Sequence, residues 1–99
     1  MPRALNPSTG NVFADLGFPA AEAAHLRIRA ELMLRIAREL AARGLTQERA
    51  ATLLGVTQPR ISALVRGRMD RFSIDTLVEM LDRLGVTVTV TVRKRRGAG

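Results

Sequence analysis

Gln47-Glu48-Arg49-Ala50-Ala51-Thr52-Leu53-Leu54-Gly55-Val56-Thr57-Gln58-Pro59-Arg60-Ile61-Ser62-Ala63-Leu64-Val65-Arg66 decides the fold. Thr46 stands where its side-chain oxygen can accept from the free N–H groups of a first helical turn. The helix it opens runs from Gln47 to about Leu54 and stops at Gly55. Thr57 is placed to cap a second helix, from Gln58 to about Arg66, which stops at Gly67. Pro59 falls in the first turn of that helix, where a missing N–H costs no intrahelical bond. Ala51 is small where two helices cross closely. Gly55 permits a left-handed turn. Val56, Ile61 and Leu64 are the apolar pins that hold the second helix against the first.

Working outward, the pattern from Pro19 or Ala20 to Arg43 is helical. Leu26, Ala30, Met33, Ala37, Leu40 and Ala41 recur at spacings of three and four, and Ile36 widens the stripe. Glu31 with Arg35, and Arg35 with Glu39, are i,i+4 pairs on the opposite side. About 24 residues give a rod of roughly 36 Å, ended by Gly44. On the other side, Ser73 is set to cap a last helix whose inner face is Ile74, Leu77, Val78, Leu81 and Leu84, and Gly85 ends it. Asp75 and Arg83 suit the two ends of its dipole. The period then changes from 3.6 to 2: Val86-Thr87-Val88-Thr89-Val90-Thr91-Val92 alternates throughout, in β-branched residues that favour strands. Residues 1–10 read as a flexible arm. Val12, Phe13, Leu16 and Phe18 are too apolar for a free tail. They either pack on the domain or are covered by something else. Arg93-Lys94-Arg95-Arg96 begins a basic, flexible end.

The 99 residues suit one domain, and a composition 46% hydrophobic and 25% charged is that of a globular chain. No apolar run is long enough to span a membrane, and the N-terminus has no signal-peptide core, so a cytoplasmic protein is expected. Cysteine is absent, which excludes a disulfide scaffold and a thiolate metal site. His25 is the single histidine, in a helical context that reads as solvated. No nucleophile-elbow pattern or phosphate-binding glycine loop accompanies it. The expectation is no enzyme, no catalytic residue, no metal and no cofactor. Sixteen basic residues against nine acidic ones give a net charge of +7. Arginine outnumbers lysine fifteen to one, as in GC-rich coding. That bias does not explain the basic excess, which points to a polyanionic partner.

Two short helices around a glycine turn, with a small crossing residue and three apolar pins, are the geometry of a helix-turn-helix. Gln47, Ala51, Gly55, Ile61 and Leu64, within Gly44-Leu45-Thr46-Gln47 through Leu64-Val65-Arg66-Gly67, resemble the Xre/Cro/λ-repressor family. Asn11-Val12-Phe13-Ala14-Asp15-Leu16-Gly17-Phe18, the long first helix and the Val-Thr strand are similar to the Xre-type antitoxins of HigB/HigA-like toxin–antitoxin pairs. The likeness covers about residues 11–93. It implies a mainly α, λ-repressor-like fold with a long first helix and three short ones, and a C-terminal β-strand paired across a dimer. It also implies a repressor of its own operon that neutralises a RelE/HigB-like ribonuclease toxin. The alternative is a free-standing Xre-family repressor with no toxin. The expected organisation is an arm over 1–18, a helix-turn-helix domain over 19–85, a dimerisation strand over 86–93 and a basic tail over 94–99.

In a helix-turn-helix the second helix enters the major groove with its first residues on base edges. Gln58 suits a bidentate contact with adenine and Arg60 one with guanine. Ser62 shares their face. Pro59 either touches a thymine methyl or sets the start of the helix, and Thr57 opens it. Thr46 and Gln47 begin a helix whose end abuts the DNA backbone, so they are phosphate candidates. Arg66, Arg68 and Arg71 follow and are placed for phosphates, with Asp70 among them as a local partner. A lone strand lacks partners for its backbone groups. Either the Val12-Phe13 region pairs with it, or a second copy does, burying Val86, Val88, Val90 and Val92 on one face. The second case supplies the two-fold axis for a palindromic operator.

Overall fold

Caps and glycines cut the chain into helices where the sequence places its breaks. The computed structural model describes residues 20–94. These form α1 (Ala20–Ala42), α2 (Gln47–Leu54), α3 (Gln58–Val65), a 3₁₀ turn (Met69–Arg71) and α4 (Ile74–Arg83). The arm and the apolar residues Val12, Phe13, Leu16 and Phe18 lie outside the described residues, as do Arg95 and Arg96. Thr46 Oγ1 accepts from the Arg49 N–H at 3.2 Å, Thr57 Oγ1 from Arg60 at 3.3 Å, and Ser73 Oγ from Thr76 at 3.1 Å. Each bond satisfies a donor that a helix start leaves free, which stabilises by about 1 kcal/mol. One residue before each cap stands an apolar side chain: Leu45, Val56 or Phe72. Five residues further on is a buried one: Ala50, Ile61 or Leu77. This is the arrangement of a hydrophobic staple, which fixes the angle at which the chain enters a helix.

The turn after α2 depends on Gly55. Its φ is +69°, where an L side chain costs roughly 1–2 kcal/mol. There the Val56 N–H reaches Ala51 O at 3.0 Å and the Gly55 N–H reaches Thr52 O at 3.3 Å, a Schellman closure of the helix end. The Arg83 guanidinium lies beside this turn, 3.0 Å from where a Cβ on residue 55 would sit.

One apolar core joins the helices. Met33, Ile36 and Leu40 of α1, Ala50, Ala51 and Leu54 of α2, and Ile61 and Leu64 of α3 meet Phe72 and Leu77, Met80, Leu81 and Leu84 around α4. The α1 stripe is rotated from the expected one. Ile36 is its fully buried centre, whereas Ala41 is exposed. Met33, Ile36 and Leu40 form the line that α4 covers, and Arg29 lies one turn before them. Arg43 donates to Leu84 O, tying the end of α1 to the end of α4. Of the two ion pairs expected along α1, Arg35–Glu39 forms at 3.1 Å. Glu31 is partly buried, and desolvation raises its pKa above the ordinary value, with Arg27 opposing the shift.

Residues 86–94 follow α4 without regular secondary structure. No strand forms among the described residues. Its neighbours are α1 and α4, whose backbone groups are already spent on helical bonds. Val86 and Val88 pack partly against the core, but Val90 and Val92 are 78% and 89% exposed. Among the described residues only half of the expected apolar face is covered.

Candidate nucleic-acid interface

α3 is held from behind and open at its start. Ile61 and Leu64 are 1% and 2% exposed and fix the helix in the core. Their positions leave Thr57, Gln58 and Pro59 exposed and Arg60 and Ser62 half-buried. The proline sits in the first turn, as the sequence requires. The Thr57 hydroxyl oxygen is used by the cap, but a hydroxyl keeps its own hydrogen to donate. The same holds for Thr46. α2 and α4 carry Glu48 and Asp75 in their first turns; α3 has no acidic residue there. The positive end of its dipole is thus not offset within the helix, which favours an incoming anion.

Arg60 lies against a core aromatic ring. Its guanidinium carbon lies 4.7 Å from the centre of the Phe72 ring, within cation–π range. Thr46 and Gln47 are exposed at the start of α2. Arg66 and Arg68 are exposed beyond α3, where the chain turns through bonds from Gly67 N–H to Leu64 O and from Arg68 N–H to Ala63 O, both 3.0 Å. Arg71 is also exposed, and its Nε lies 3.9 Å from the Asp70 carboxylate, a loose surface pair of little energetic weight. The arginines of this turn therefore remain open to a polyanion.

Sequence reading missed Phe72 and Arg29. Phe72 is 2% exposed and links the core to Arg60. Its signal was available: an apolar residue just before the Ser73 cap, with Leu77 at the matching position inside the helix. Arg29 donates from Nη1 to Met69 O at 3.0 Å, while its Nε is buried without a hydrogen-bond partner among the described residues. No local pattern announces a contact across 40 residues. Among the described residues no helix is long and apolar enough to cross a membrane, and no group of three or more His, Asp or Glu is placed to hold a metal ion.

Two capped helices locked by a glycine turn, the second presenting polar and cationic groups outward, define a DNA-binding regulator of the helix-turn-helix class. A protein-family profile described as "Helix-turn-helix domain" matches residues 12–93, and the chain belongs to that family. The chain is also similar to a solved structure described as an XRE-family transcriptional regulator. The TM-score is 0.71 and the sequence identity 28%, over 82% of this chain and 89% of the other. No curated protein matches it.

Proposed function

We propose that this protein is a sequence-specific transcriptional repressor that binds a palindromic operator as a homodimer. The observation that carries this reading is the start of α3: exposed Gln58 and half-buried Arg60 on a helix fixed by Ile61 and Leu64. Gln58 reads adenine and Arg60 reads guanine through bidentate contacts. Thr57, Pro59 and Ser62 line the same entry. Thr46, Gln47, Arg66 and Arg68 hold phosphates, which position the domain without reading sequence. The exposed Val90 and Val92 support pairing of residues 86–93 with a second copy. A two-fold pair of α3 helices about 34 Å apart would then meet two half-sites. The structural likeness to an XRE-family regulator supports the same reading. Selection of binding sites from a randomised DNA pool tests it. The expected product is a two-fold motif; recovery of unselected sequence, bound only through salt-sensitive contacts, would refute it.

The finer proposal is that the repressor is the antitoxin of a HigB/HigA-like pair and neutralises a RelE/HigB-like ribonuclease. Ile28 and Leu34 on α1 support it, since they are 39% and 42% exposed on a helix outside the helix-turn-helix. With a net charge of +7, the chain would have to hold a basic toxin through apolar contacts and local acidic groups such as Glu22 and Glu31. Affinity capture from the native cells, read by mass spectrometry, decides this. A small stoichiometric ribonuclease makes the protein an antitoxin. Recovery of the protein alone, with operator binding intact, makes it a free-standing Xre-family repressor.

A further inference from the structure

The geometry points to Phe72 as a positioning residue for sequence reading, acting through Arg60, with Arg29 bracing the turn that carries it. This rests on the proposal that α3 reads DNA. A free arginine side chain occupies many rotamers, and holding it in one of them on binding costs entropy. Arg60 has part of that ordering in place before DNA arrives. Its guanidinium carbon is 4.7 Å from the Phe72 ring centre, so the cation lies over the ring. The N–H donors of a guanidinium lie in its plane, and no side-chain hydrogen bond or ion pair engages those of Arg60 among the described residues. The ring orders the cation and leaves its donors to a base edge.

The platform is itself fixed. Phe72 is 2% exposed, and its backbone N–H donates to Met69 O at 3.3 Å. The same carbonyl accepts Arg29 Nη1 at 3.0 Å. An arginine on α1 therefore clamps the 3₁₀ turn whose last residue precedes Phe72. Arg29, Met69 O, Phe72 and Arg60 form a line of contacts from the first helix to the reading helix. A leucine at position 72 would keep apolar bulk in the core and remove the ring face.

The test uses the full chain and a site selected from a randomised pool, with each G·C pair then replaced in turn. The preference for the guanine that depends on Arg60 is measured for wild type, Phe72→Leu, Arg60→Ala and the double variant. We expect Phe72→Leu to lower that preference by roughly two- to fivefold, to leave preferences at the other positions unchanged, and to add nothing in the Arg60→Ala background. A lower melting temperature with the guanine preference intact would overturn the proposal and leave Phe72 a core residue only. NMR of the DNA-free protein supplies a second readout. The Arg60 side-chain protons should show a ring-current shift that Phe72→Leu abolishes, and its absence would overturn the platform whatever the DNA result. If the shift is present but the wild-type protein selects no sequence, the DNA reading fails and the proposal fails with it, an outcome distinct from failure of the platform alone.

Discussion

α3 and the segment 86–94 are two of the most regular stretches of the sequence, yet among the described residues one is completed and the other is not. α3 finds everything it needs nearby: a threonine cap, a glycine turn before it, and Ala51 and Leu54 as packing partners. The Val-Thr segment alternates without error, but it joins no ladder among the described residues, with Val90 and Val92 in solvent. Helical hydrogen bonds close within one segment, whereas a strand's bonds belong to a ladder and need a second segment. Periodicity thus predicts a helix outright, but predicts a strand only together with its partner.

The comparison can be broken most forcefully at the core side of α3. Ile61→Ala removes a side chain that is 1% exposed and should cost about 2–5 kcal/mol, measured by denaturant unfolding. A cost near zero would mean that α3 is not pinned as described. The C-terminal segment should respond in the opposite way. Val90→Pro removes a ladder donor from a residue that is 78% exposed, so it should leave the unfolding of the isolated domain unchanged yet convert dimers to monomers in sedimentation. Dimers that persist would rule out pairing through residues 86–93. A smaller effect belongs to the cap: Thr57→Ala should cost about 1 kcal/mol and weaken operator binding further by loosening the first turn. Thermal unfolding and a titration with the selected site check both parts.

The smallest effect is electrostatic and lies beside the Val-Thr segment. Burial raises the Glu31 pKa in the folded state, so the folded chain holds that proton to higher pH than the unfolded chain does. Stability therefore falls as pH rises through the ordinary glutamate range toward the raised value. Glu31→Gln should remove this part of the fall, which sets in as pH rises through the ordinary glutamate range, seen as a flatter dependence of the denaturation midpoint. Parallel curves for the two proteins would contradict the desolvation. A second chain covering Glu31 and the Val-Thr segment should steepen the wild-type dependence, which links this prediction to the dimer.

Local chemistry made most of the fold legible. Thr46, Thr57 and Ser73 cap the helices assigned to them, Gly55 takes the positive φ its position demands, and the four helices begin and end within a residue or two of expectation. The α1 stripe was read one step off: Ile36, and not Ala41, belongs at its heart, because α4 and the turn after α3, rather than the helix alone, choose the buried face. The candidate interface was legible to the same depth. The motif placed Thr57, Gln58 and Pro59 outward. It could not show that Arg60 rests on Phe72, or that Arg29 reaches Met69 O, because both contacts depend on how separate segments meet.

The central claim is that α3 reads DNA through Gln58 and Arg60 while Ile61 and Leu64 hold it in place. Its most direct test is a titration of the selected operator with wild type and with the Gln58→Ala, Arg60→Ala double variant, melting temperatures being measured alongside. Each lost base contact should weaken specific binding by roughly 1–3 kcal/mol, leaving salt-dependent nonspecific binding and a folded domain. Equal operator affinity in the two proteins would contradict the account.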